Sequence, residues 1–87
     1  MAETVLTGGR VIDPAQGVDE VMDVVVRDGS IADVAAGVTP PTGSRILDVA
    51  GKIVTPGWID IHAHVYWGVT TWGILADPLC LASGVTT

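Results

Sequence analysis

The sequence predicts a mainly β fold in two parts: a small antiparallel sheet over residues 1–55, then a strand, long loop, short helix and strand over residues 56–87 that open a parallel βα architecture. Three observations predict it. Short β-branched runs separated by Gly, Pro and Asp turn signals fill the first part. A nearly continuous apolar run, Trp58 to His62, begins the second. Helical periodicity is absent until Asp77-Pro78.

Taken in order, "TVLTGG" and "RVIDPAQG" read as two strands divided at Gly8-Gly9 by a bulge or tight turn, the second closed by Asp13-Pro14. In "MDVVVRDGSIADVAAG" the Asp28-Gly29 pair lies between two β-branched runs and supplies the positive φ angles of a type I′ hairpin turn. "VTPPTGS" is a loop by composition, and "RILDVAGKIVTPG" reads as two more short strands about Ala50-Gly51. After Pro56-Gly57, the run "WIDIH" has the character of a strand covered on both faces. Asp77 is placed to cap a helix that has Pro78 at its first position, Gly84 ends it, and "GVTT" opens another strand.

Composition limits the function. An 87-residue chain makes one small assembly, and its 4 basic against 10 acidic residues give a net charge of -6 that repels phosphate backbones and anionic bilayers. Neither nucleic acid nor a membrane is expected as partner. The longest uncharged stretch, Ile61 to Ala76, falls short of the ~20 apolar residues of a spanning helix. "MAETVLTGGR" lacks the apolar core of a secretion signal, and the single Cys80 forms no internal disulfide, so a cytoplasmic location is expected. Cys80 reads as a small core hydrophobe. A hydrophobic content of 48% is high for so short a chain, and implies that something covers part of its surface.

Both histidines of the chain lie in "PGWIDIHAHVYWG". On a strand, alternate side chains share a face, which brings His62 and His64 to one side with Cα atoms roughly 6.5 to 7 Å apart, within reach of one cation. On spacing alone two readings stand equal: half of a metal site, or two polar strand-end residues bonded to water or backbone. Asp60 falls on the same face one pleat deeper, as a partner that orients an imidazole or as a satisfied strand aspartate. Trp67 and Trp72 either line a substrate mouth or pack their loop.

The stretch "DVAGKIVTPGWIDIHAHV", with Gly51-Lys52, Val54, Pro56-Gly57, Ile59-Asp60 and His62-x-His64, resembles the metal-dependent amidohydrolase superfamily of dihydroorotases, hydantoinases and N-acyl deacetylases. The hairpin "DVVVRDGSIADV" is similar to the amino-terminal sheet of these proteins. The resemblance implies that residues 1–55 are a segment of a β-sandwich and that residues 56–87 are the first strand, loop and short helix of a truncated (β/α)₈ TIM barrel, whose active site lies at the carboxyl ends of its strands. It implies one or two divalent ions, zinc foremost, held in part by His62 and His64, and a metal-activated water that hydrolyses a small amide or N-acyl substrate. The family's remaining ligands, a lysine and two histidines on later strands, and its proton-shuttling aspartate have no counterpart here, so the chain itself is assigned no catalytic residue and is expected to be inactive alone.

In the dihydroorotases of this family an arginine usually follows the second histidine by two residues. Here that position is Tyr66, taken as a substrate-binding residue, and "HVYWG" resembles the deacetylase-type branch instead. Partners implied are the substrate and the remainder of the barrel, on the same or a separate chain, with an oligomer open. Against this stand a free-standing β-rich binding module and a fragment that complements a separately encoded barrel.

Overall fold

The computed structural model describes residues 3–66, 68, 71 and 73–87. The chain divides into two compact units, Met1–Thr55 and Pro56–Thr87.

The first unit is a five-stranded sheet of β1 (Thr4–Asp13), β2 (Val18–Arg27), β3 (Ser30–Ala35), β4 (Arg45–Asp48) and β5 (Ile53–Val54). Its order is β3-β2-β1-β4, with β5 also paired to β1. The Asp28-Gly29 turn joins β2 to β3 as the sequence predicts, with φ of 51° and 75° at its two residues. Two expectations are corrected. Of the two readings at Gly8-Gly9 the bulge holds, but it does not divide two strands: β1 runs through it as one strand, its pairing with β2 shifting between Leu6 and Gly9. The sheet is mixed, since β4 pairs with Thr4–Thr7 and β5 with Arg10–Val11 in the parallel sense. Local sequence shows that these segments are extended. It does not show that the connection from β3 crosses the sheet to the far edge before β4 begins, which is what makes them parallel.

The core is small, made of Val5, Val11, Val24 and Val25. Two devices hold the sheet where it departs from regularity. Buried Asp23 on β2 accepts the Gly8 N–H at 2.9 Å and the Val38 N–H at 2.9 Å, tying the bulge and the crossing connection to one carboxylate. Gly9 lies against the break between β4 and β5, where a Cβ would come within 2.7 Å of Val54 and 2.9 Å of Val49.

In the second unit the predicted strand Trp58 to His62 is reduced to a single parallel bridge, Trp58 to Val85. Around it the Trp58 N–H donates to Gly84 O at 2.9 Å and the Thr86 N–H to Trp58 O at 2.9 Å. Gly57 permits the approach, because a Cβ there would lie 2.2 Å from Thr86 Oγ1. The pairing stops at Asp60, whose Oδ1 accepts the His62 N–H at 2.9 Å and bends the chain, and Ile61 beyond it is 97% exposed. A central parallel strand needs a neighbour on each side, and here one bridge supplies a single side.

The helix α1 (Ala76–Ala82) begins one residue before Asp77, with Leu75 at the cap position and no side-chain cap bond. Asp77 is therefore a first-turn residue, favourable to the helix dipole, and Pro78 follows it where the missing N–H costs no intrahelical bond. Gly84 ends the helix as predicted: its N–H donates to Leu81 O at 3.1 Å while the Val85 N–H donates to Cys80 O at 2.8 Å.

Candidate functional site

The segment from His62 to Tyr66 keeps the two-residue alternation of an extended chain although it joins no ladder. His62, His64 and Tyr66 form one row. His62 Nε2 and His64 Nε2 lie 3.2 Å apart, with ring centroids at 5.2 Å and an interplanar angle of 36°. The Nδ1 of His64 is hydrogen-bonded to the Tyr66 hydroxyl, and these two rings stand 5.5 Å apart at 55°. Ala63 and Val65, the intervening residues, line a cavity of about 470 Å³ together with Asp60, Asp77, Cys80 and Leu81 of the same unit. Neither histidine lines that cavity. The donor chemistry therefore lies on the row and not in that cavity.

The row fits a cation. Two nitrogens bound at about 2.0–2.1 Å with a tetrahedral angle between them stand about 3.3 Å apart. The observed 3.2 Å is close to that bite, and both atoms are the Nε2 nitrogens at the outer ends of the rings. The same distance also suits a hydrogen bond between two neutral imidazoles, one donating and one accepting. The backbone supports the row at its middle, where the Ile74 N–H donates to His64 O at 2.8 Å.

Asp60 reaches the backbone N–H of His62 through Oδ1. Its carboxylate shapes the turn into the histidine segment by accepting a bond from the main chain. Tyr66, assigned to substrate from the sequence, has its hydroxyl on His64. The i, i+2 spacing that pairs the histidines extends to Tyr66, so the tyrosine's place on the row was readable from the same alternation. Cys80 is half-buried beside the cavity. Trp67 and Trp72 lie outside the described residues. Among the described residues no group of three or more His, Cys, Asp or Glu side chains is arranged to hold a metal, and no helix is long and apolar enough to cross a membrane.

No protein-family model matches the chain. Among curated proteins it is 52% identical over 60 residues to a dihydroorotase of Geobacter sulfurreducens, covering 69% of this chain and 14% of the relative. It is 53% identical over 60 residues to a dihydroorotase of Anaeromyxobacter dehalogenans, with the same coverage. Among solved structures it is similar to a dihydroorotase (TM-score 0.68, 26% identity, 87% of this chain and 20% of that one). A prolidase crystallised with N-methylphosphonate-L-proline matches at TM-score 0.64 and 40% identity over 74% of this chain and 16% of that one. A D-hydantoinase from Thermus sp. matches at TM-score 0.61 and 25% identity over 79% of this chain and 15% of that one. The chain thus spans about one seventh of the length of the curated relatives it matches. These relatives carry the name dihydroorotase, and the preference for a deacetylase-type branch finds no support among them.

Proposed function

We propose, for a chain that belongs to the amidohydrolase superfamily and matches only the amino-terminal portion of its members, that it contributes His62 and His64 to the divalent-metal centre of a hydrolase acting on C–N amide bonds. The observation that carries this reading is the 3.2 Å approach of the two Nε2 atoms. When bound, a divalent cation supplies Lewis acidity, lowering the pKa of a water and polarising an amide carbonyl. Zinc is the metal proposed, because imidazole nitrogen suits it.

The chain's own residues prepare the site in three ways. Asp60 turns the backbone so that the histidine segment starts beyond the Trp58–Val85 bridge. Alternation sends both imidazoles to one side and Ala63 and Val65 to the cavity. The Ile74 N–H holds the His64 carbonyl. Two imidazoles leave a tetrahedral ion two ligands short, so the reading requires ligands from further polypeptide of the same or another chain. Exposed apolar side chains in this unit, among them Trp58, Ile59, Ile61 and Leu81, support such a covering. The 87-residue chain alone is accordingly inactive as a hydrolase, and no catalytic residue is assigned to it.

A cyclic amide, the substrate class named by the dihydroorotase and hydantoinase relatives, is the first substrate proposed. Tyr66 in place of a carboxylate-binding arginine keeps removal of an acyl group from an N-acyl amino acid as a second reading. A cytoplasmic setting is part of the proposal, supported by the single cysteine.

Equilibrium dialysis against Zn²⁺ tests the metal reading: the wild-type chain retains the ion, and His62→Ala and His64→Ala each abolish the retention. Equal retention by all three would defeat it. In parallel, the metal-loaded chain is assayed on a cyclic amide and an N-acyl amino acid. Turnover above a metal-only blank would show that the two-histidine site is sufficient, contrary to the proposal.

A further inference from the structure

Resting on the metal-centre reading, we propose that Tyr66 is a positioning residue for His64, holding the imidazole so that Nε2 faces His62 whether or not a cation lies between them. Three observations converge. The Tyr66 hydroxyl bonds Nδ1, the nitrogen on the opposite side of the ring from the His62 contact. Tyr66 occupies the third place on the row that carries both histidines. Tyr66 is 41% exposed, so burial does not by itself account for its position.

The chemistry of the contact explains why an oxygen is needed there. A neutral imidazole carries one N–H, and the bond made by one nitrogen sets the state of the other. With the Nε2 lone pairs of both histidines turned to a cation, His64 must carry its proton on Nδ1, and the Tyr66 oxygen accepts it. Without a cation, one Nε2–H donates across the 3.2 Å gap. If His64 is that donor, its Nδ1 has a lone pair and the tyrosyl hydroxyl donates to it. A hydroxyl serves both states because it donates and accepts, so the proton moves while the ring stays in place. Phenylalanine serves neither, and a carboxylate or an ammonium would serve only one.

The test is a Zn²⁺ titration of the 87-residue chain followed by imidazole ¹H–¹⁵N spectra. Tyr66→Phe is expected to weaken binding about 10-fold, the low end of the effect of losing a hydrogen bond behind a metal-binding histidine, and to move the His64 Nδ1 resonance. Val65→Ala, on the cavity side of the same segment, is the control for general loosening and is expected to leave both readouts at wild-type values. Tyr66→Phe with unchanged affinity and an unchanged Nδ1 resonance, while His62→Ala and His64→Ala abolish binding, would overturn the role of Tyr66 and leave the metal reading intact. Equal losses from Val65→Ala and Tyr66→Phe would also overturn it. Binding that persists in both histidine variants would instead overturn the metal reading on which it rests.

Discussion

The backbone N–H of Gly8 donates to the Oδ1 of Asp23 at 2.9 Å, so the irregular point of β1 is held by a buried carboxylate on the neighbouring strand. Its second oxygen takes the Val38 N–H at 2.9 Å. Removing the carboxylate leaves two backbone donors without acceptors, each a loss of the order of 1–3 kcal/mol. Asp23→Ala should therefore destabilise the sheet unit by about 2 to 4 kcal/mol in urea unfolding followed by circular dichroism. Asp23→Asn, which keeps one acceptor oxygen, should fall between it and wild type. A change under half a kcal/mol for the alanine variant would contradict this account.

Gly9 offers a steric prediction. Its missing side chain is the space into which Val49 and Val54 fold at the β4–β5 break, at 2.9 and 2.7 Å from where a Cβ would stand. Gly9→Ala should lower stability by about 1 to 3 kcal/mol, the usual range for overpacking a filled site. Val54→Ala removes the nearer methyl and should recover part of the loss. Additive effects of the two substitutions would argue that they do not meet.

Arg10 and Asp19 form an exposed pair across β1 and β2, with Nε to Oδ1 at 2.7 Å and Nη2 to Oδ2 at 2.9 Å. The hydrogen bond from Arg10 holds the Asp19 carboxyl below its ordinary value. Since the folded-state value is the lower one, the unfolded chain takes the proton first as pH falls. The contribution is fully present above the ordinary carboxylate range near ~3.9 and is lost as pH drops through the depressed value. Asp19→Asn should flatten that part of the acid-unfolding curve, and 1 M salt should reduce the difference between the variants. A steeper acid limb in Asp19→Asn would reverse the sign and refute the assignment.

The Gly57–Thr86 approach predicts a local effect in the second unit. Gly57→Ala places a methyl on Thr86 atoms that lie 2.2 to 2.9 Å from the new carbon, and Thr86 is held by its bond to Trp58 O. Faster hydrogen exchange at the Trp58 and Thr86 amides, without change in β1 or β2, is the expected result. Unchanged exchange at both would mean that the bridge accommodates the methyl.

Where the sequence was legible, a local chemical requirement did the specifying. Asp28-Gly29 needs two positive φ angles, and Gly84 stands where a helix must release its last carbonyls. Direction and partner were less legible, because they depend on distant segments: the strands around Ile46 and Ile53 were readable as extended but not as parallel to β1. Asp77 stands inside the first turn and not at the cap for a subtler reason. Proline is tolerated anywhere in the first turn, so Asp-Pro marks a helix start only to within a residue or two. Asp23 carries a signal of its own, a carboxylate embedded between Met22 and Val24-Val25-Val26, since such a group stays buried only with donors around it. At the candidate site, spacing pointed to neighbouring imidazoles, but not to an aspartate that serves the main chain or a tyrosine bonded to the second ring.

The helix α1 buries none of its seven residues. A segment of two turns without an apolar face locked against a neighbour is far shorter than a helix that persists by itself in water. Under mild digestion, chymotrypsin should find Leu79 and Leu81 long before it reaches the valine-rich strands, and the first durable product should be a trimmed polypeptide retaining the five-stranded sheet. Cleavage kinetics at those two leucines would then be a direct gauge of whether any added polypeptide shelters this end of the molecule.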